Sequence, residues 1–251
     1  MTALTLPRLH WGDRNASQKA LMVHGLGSSA QTCWQVMEAL ADNAWSATAI
    51  DLRGHGQAPR ASRYRIADFA TDLRHTHPDP EGPWDLVIGH SIGAASAVVA
   101  STEDPDWAQR LVLLDPALAL DHTTTQMVLD NQRAGHLHQT VADVEALNPG
   151  WHPLDVEIKV DAHRAASLFA LEHAVFDNDP WDVTYAAQAL RVPTHILGAE
   201  PDLGSMFYGD YATALLADNP QLSYELIAGA GHSVHRDRPH ETIQAILAWI
   251  G

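Results

Sequence analysis

Short runs of consecutive apolar residues recur along the chain, separated by stretches in which apolar positions follow the period of a helix. The runs fall at 20–23, 46–50, 84–88, 110–114, 193–197 and 222–227, most of them stopped by a glycine or an aspartate. Strands this short and nearly free of polar residues are expected where a sheet is covered on both faces. Between them, 31–41 carries Trp34, Met37 and Leu40 at helical spacing, and 66–73, 91–101, 206–217 and 240–249 also read as helices. Alternation of this kind predicts an α/β protein with a mostly parallel central sheet flanked by helices.

The alternation breaks after residue 116. From 117 to 181 no convincing strand is found, and helices are expected over 124–132, 140–147 and 161–175, punctuated by Asn148-Pro149-Gly150 and His152-Pro153. An excursion of that length without structure of its own would be unusual in a compact domain. The expected organisation is therefore a core of 1–116 and 182–251 with a helical cap, 117–181, inserted into it.

The turns between these elements carry the chemistry. Gly89-His90-Ser91-Ile92-Gly93 lies between an expected strand and an expected helix, where a Gly-x-Ser-x-Gly bend can present the Ser91 hydroxyl above the sheet edge. The two glycines permit close backbone approach, and the free N–H groups of the helix that follows favour developing negative charge. Gly231-His232 occupies a glycine-rich turn before the last helix, where His232 could take the Ser91 proton. A carboxylate is needed to orient that imidazole. The loop Gly198-Ala199-Glu200-Pro201-Asp202 offers two, of which Glu200, nearer the strand end, is preferred and Asp202 is the alternative; Asp115, after the run 110–114, comes next.

These residues, in this order, resemble the α/β-hydrolase superfamily: His24-Gly25, Asp51-Leu52-Arg53-Gly54-His55-Gly56, the bend at Ser91, the Glu200–Asp202 loop and Gly231-His232. The similarity spans nearly the whole chain, and the 117–181 segment matches in position and helical character. It implies the α/β-hydrolase fold and the branch with a serine nucleophile, since relatives with an aspartate there are dehalogenases and epoxide hydrolases. It also implies an oxyanion hole formed by the backbone N–H groups of Leu26 and Ile92. The expected activity is hydrolysis of a small ester or lactone through an acyl-enzyme on Ser91, with no cofactor. Carbon–carbon bond hydrolysis on the same scaffold and a non-enzymatic ligand receptor are the alternatives.

Composition narrows the partners. The chain has 251 residues, 46% of them hydrophobic, which is enough for one large domain. With 15 basic against 31 acidic side chains the formal charge is −16, a field that repels nucleic acids and anionic membranes. A small-molecule substrate is the expected partner; oligomeric state is left open. No apolar run approaches a membrane span, residues 1–19 lack the apolar stretch of a signal peptide, and a cytoplasmic location is expected.

One cysteine, Cys33, excludes an intrachain disulfide and reads as structural. The pairs His75/His77, His136/His138 and His232/His235 lack further ligands at suitable spacing, so no metal site is expected. No nucleotide-binding glycine pattern occurs. Of the eight tryptophans, Trp34, Trp45, Trp84 and Trp107 read as core, whereas Trp151 and Trp181 are candidates to line a pocket.

Overall fold

The computed structural model describes residues 2–138 and 140–251. In chain order the first half consists of β1 (Arg8–Trp11), β2 (Gln18–Val23), α1 (Trp34–Asp42), β3 (Trp45–Ile50), α2 (Ile66–Arg74), β4 (Leu86–His90), α3 (Ile92–Glu103) and β5 (Leu111–Leu114). A helical excursion follows: β6 (Ala119–Leu120), α4 (His122–His138), α5 (Val141–Leu147), α6 (Pro153–Ala165), α7 (Leu168–Phe176) and β7 (Trp181–Asp182). The chain then returns with α8 (Thr184–Ala189), β8 (Thr194–Gly198), α9 (Gly209–Asp218), β9 (Leu222–Leu226), α10 (Val234–Asp237) and α11 (Pro239–Ile250).

Seven strands form one sheet in the order β1-β3-β2-β4-β5-β8-β9, with only β1 antiparallel to its neighbour. Side chains of a strand point alternately to opposite faces, and here each face buries its own core. Leu21, Val23, Val87, Leu111 and Leu113 join the helices α2, α3 and α8 on one side. Ala20, Met22, Leu86, Ile88, Val112 and Leu114 meet α1 and α11 on the other. Burial on both faces explains why these strands read as continuous apolar runs.

Three expectations need correction. β1 is not anticipated by the apolar pattern, because its residues are exposed or half-buried at the sheet edge and include Arg8 and His10. The 117–181 segment is not free of strands: β6 and β7 pair antiparallel at its base, Ala119 opposite Asp182 and Leu120 opposite Trp181. The single helix expected over 161–175 is two. Ala166 is extended, the Ser167 N–H donates to the Gly54 carbonyl (2.8 Å), and the Ser167 hydroxyl accepts from Ala170 N–H to start α7.

The turn after β3 is held from both sides. Asp51 accepts the Ala30 and Gln57 N–H groups at 2.7 and 2.8 Å. Arg53 forms a two-pronged pair with Asp72 of α2, at 2.7 and 2.8 Å, and both side chains are fully enclosed. Asp72 accepts the Leu4 N–H as well, and Arg53 also donates to the carbonyls of Arg63 and Asp68. Removing one member of such a pair leaves the other charge buried and uncompensated. Asp72→Asn is therefore expected to destabilise the protein by about 3–5 kcal/mol, read as a lower urea midpoint; a change under about 0.5 kcal/mol would contradict this account of the turn.

Candidate active site

The sheet order reverses direction between β2 and β4, and a crevice at the C-terminal ends of the strands is expected at such a switch point. The turns after β2 and β4 supply Leu26 and Ser91 there, and both line one cavity of about 130 Å³.

Ser91 sits at φ +55°, ψ −118°, a conformation that side-chain-bearing residues rarely adopt. The bend is held by what cannot fit beside it. A Cβ on Gly93 would lie 2.4 Å from the His24 carbonyl oxygen and 2.5 Å from that of Val23, and one on Gly89 would lie 2.6 Å from Ala94 Cα. The Ser91 N–H donates to the Leu114 carbonyl (3.2 Å), pinning the bend to the end of β5.

The Ser91 hydroxyl donates to His232 Nε2 at 3.0 Å. His232 Nδ1–H donates to Asp115 Oδ2 at 2.6 Å, so the carboxylate fixes the tautomer that leaves Nε2 free to accept. Asp115 is completely buried at the end of β5. Its carboxylate also accepts from the Ser205 hydroxyl (2.6 Å), Met206 N–H (2.8 Å) and Ala199 N–H (3.4 Å). These donors compensate the charge that burial would otherwise penalise.

The carboxylate beside His232 is thus Asp115, and neither Glu200 nor Asp202. Glu200 is turned away, accepting the exposed Gly229 N–H at 3.3 Å, and Asp202 is exposed on the short turn Pro201–Leu203. The reason is positional. β5 lies directly beside β4, whereas β8 is one strand further out. The loop after β8 provides the donors that enclose the carboxylate instead of the carboxylate itself. The legible signal is Asp115-Pro116 closing a buried strand, the same acid-proline pattern as Glu200-Pro201.

Leu26 and Ile92 both border the cavity, and neither backbone N–H donates to another group among the described residues. Gly25 makes this approach possible: a Cβ there would be 2.6 Å from His90 Nδ1 and 3.2 Å from Ser91 Cβ. His24 anchors the same turn, accepting the Leu52 N–H at Nε2 (3.1 Å) with Nδ1 at 2.7 Å from the Gly25 carbonyl. His90 has a part that its place in the Ser91 motif does not reveal. Its Nε2 lies 2.9 Å from the His232 carbonyl and so ties that turn to the bend at Ser91.

The helical excursion contributes Val128, Asn131 and Gln132 of α4, Lys159 of α6 and Trp181 of β7 to the same cavity. Trp181 donates to the Ala117 carbonyl at 2.8 Å. Trp151 does not line the cavity; its indole N–H donates to Asp237 and its face lies under Arg236, 5.1 Å from the guanidinium carbon. Cys33 is buried, and burial pushes its thiol up to about 12, away from reactivity. Among the described residues no group of three or more His, Cys, Asp or Glu side chains could hold a metal; the His138 side chain of the pair His136/His138 lies outside them. No described helix is long and apolar enough to cross a membrane.

The chain belongs to the alpha/beta hydrolase family, whose model matches residues 20–245. It is 29% identical over 217 residues to Lipase LipV of Mycobacterium tuberculosis, covering 81% of this chain and 82% of that one. It is 25% identical to the 2-(acetamidomethylene)succinate hydrolase of Mesorhizobium japonicum, covering 95% and 90%. The crystal structure of E-2-(acetamidomethylene)succinate hydrolase superposes with a TM-score of 0.85 at 22% identity, over 98% of this chain and 95% of that one, which shows the shared fold. Relatives named as lipase and esterase support a hydrolase.

Two histidines behind the site carry a consequence for stability. Burial pushes His24 down to about 4 and His55 down to about 3, so both are neutral when folded near neutral pH. Their folded values lie below the ordinary 6.5, so the unfolded chain binds more protons between the two. The stability they contribute is complete above pH ~6.5 and is lost as pH falls toward and through ~4, each group costing about 1.4 kcal/mol per pH step across that window. The urea midpoint should fall between pH ~7 and ~5, and less steeply in His55→Gln. Equal slopes in the two proteins would contradict this role for His55.

Proposed function

We propose that the protein is a serine hydrolase that cleaves a small carboxylic ester or lactone through an acyl-enzyme on Ser91. The observation that carries this reading is the unbroken line Asp115–His232–Ser91 opening onto the cavity, at 2.6 and 3.0 Å.

Ser91 Oγ attacks the substrate carbonyl while its proton passes to His232 Nε2. Asp115 stabilises the imidazolium that forms and stays ionised. The carbonyl oxygen gains negative charge and is received by the N–H groups of Leu26 and Ile92, each worth about 3–4 kcal/mol to the transition state. His232 then returns its proton to the leaving alkoxide, which departs as an alcohol. Water, deprotonated by the same imidazole, attacks the acyl-enzyme, and collapse releases the acid with the proton back on Ser91.

Cavity size argues for a small substrate. About 130 Å³ lies well below the several hundred Å³ of sites that enclose drug-sized ligands, so a long acyl chain would need the helical excursion to move. In this reading residues 117–181 act as a cap: α4, α6 and Trp181 exclude water from the reacting carbonyl and set the room available to the acyl group.

A fluorophosphonate should phosphonylate Ser91 in the folded protein, and Ser91→Ala should abolish both labelling and turnover; labelling elsewhere, or activity retained in the variant, would overturn the assignment. Repeated turnover also separates an enzyme from a receptor that merely holds its ligand. Asp115→Asn should lower kcat by about 10³–10⁴, because the amide can stabilise the wrong tautomer of His232. Glu200→Gln should change kcat less than about twofold, as expected of a side chain outside the reacting group. The reverse ranking would place the carboxylate on the loop after β8.

A further inference from the structure

The cavity holds two cationic side chains that the acyl-transfer reading does not use. Arg236, at the start of the last helical region, is 2% exposed and borders the cavity. Its surroundings do not satisfy it. Among the described residues the guanidinium makes one long hydrogen bond, Nη2 to the Ser28 hydroxyl at 3.4 Å, and one face rests on Trp151. Its Nε is buried with no hydrogen-bond partner among the described residues.

The carboxylates that attract Arg236 are committed elsewhere. Asp155 accepts from Trp34 Nε1 (2.9 Å) and Gln35 Nε2 (2.6 Å), and Asp237 accepts from Trp151 Nε1. Neither forms an ion pair with Arg236 among the described residues. A buried guanidinium without a paired anion is normally costly, which marks this one as a binding group rather than half of a structural pair.

The second cation lies on the same side of the site. Lys159 of α6 donates from Nζ to the Gly27 carbonyl at 2.8 Å, and Gly27 is bonded to Ser28, the hydroxyl that contacts Arg236. Lys159 has no carboxylate partner among the described residues either. Burial first, and then the Arg236 charge, depress its ammonium well below the ordinary lysine value. The remaining lining is mixed: Asn131, Gln132 and Ser233 are polar, and Ala117, Leu120, Val128, Trp181 and Met206 supply apolar surface. In a chain with a formal charge of −16, two cations with no ion-pair partner among the described residues border the same cavity as Ser91.

We propose that Arg236, Lys159 and the Ser28 hydroxyl form a subsite for a carboxylate carried by the substrate, so that the preferred substrates are half-esters of small dicarboxylic acids. The inference rests on the acyl-transfer reading of Ser91 and names its substrate class. The Arg236 guanidinium and the Lys159 ammonium, which border the same cavity as Ser91, are the groups that would receive the carboxylate while the ester carbonyl reaches Ser91. The carboxylate supplies the charge that each cation lacks, and the apolar lining accepts the carbon chain between the two ends.

The test compares the monoethyl esters of succinic, glutaric and adipic acids with the corresponding ω-amides, which keep size and remove the charge. For at least one chain length, kcat/KM should favour the half-ester by about tenfold or more, the scale of a buried hydrogen bond to a charged group. In Arg236→Met that ratio should collapse by about tenfold or more, chiefly through KM, and Lys159→Met should reduce it as well. Free succinate, glutarate or adipate should compete with substrate in the wild-type enzyme and bind measurably by calorimetry, with binding lost in Arg236→Met. Wild-type ratios near unity at every length, with none of the three diacids competing, would overturn the subsite, and this arm needs no variant to fold.

Fluorophosphonate labelling of the same preparations separates the two claims. Labelled Ser91 with no preference for half-esters sinks the subsite and leaves the hydrolase. Unlabelled Ser91 sinks the hydrolase, and calorimetry with the diacids then decides the subsite alone.

Discussion

A positive φ at a residue with a side chain is the constraint on which the rest depends. Ser91 can occupy its bend because the glycines two residues to either side have no Cβ: Gly93 packs against the carbonyls ending β2, and Gly89 packs against the start of α3. The two cores on either side of the sheet supply the rigidity that keeps a locally unfavourable backbone in place. Parallel strand order does the remainder, because it brings the turns after β2, β4, β5 and β9 to a single edge. Residues 117 and 141 positions apart thereby meet within hydrogen-bond distance.

Strands enclosed on both faces are the most legible part of the fold, since burial demands apolar residues at every position. β1 is illegible for the converse reason: an edge strand answers to one neighbour and to solvent, and its residues carry no such pattern. The break between α6 and α7 is equally hidden, because it depends on the Gly54 carbonyl, more than a hundred residues earlier, capturing the Ser167 N–H. Ser91 and His232 stand out because each needs a local turn that glycines mark. The acid does not. Asp115-Pro116 and Glu200-Pro201 share the same acid-proline pattern after a buried strand, and the lateral order of β4, β5 and β8 decides which of them faces His232.

Electrostatics around the site follows a division of labour. Asp115 is buried among donors that keep its charge tolerable, and His24, His55 and His90 are buried where burial holds them neutral. Each of those groups is satisfied or discharged within the folded protein. Arg236 differs, with its Nε buried and unpartnered among the described residues, and it borders the same cavity as Lys159 and Ser91. The helical excursion therefore does more than enclose the cavity, since α6 contributes one of the two cations.

The most direct test of the central claim is to quench the enzyme in acid during turnover of an activated small ester and map the acylated peptide by mass spectrometry. The account predicts an acyl group on the Ser91 hydroxyl that forms faster than it hydrolyses. Full turnover with no acyl group ever found on Ser91 in pre-steady-state samples, or with the group on another residue, would contradict it.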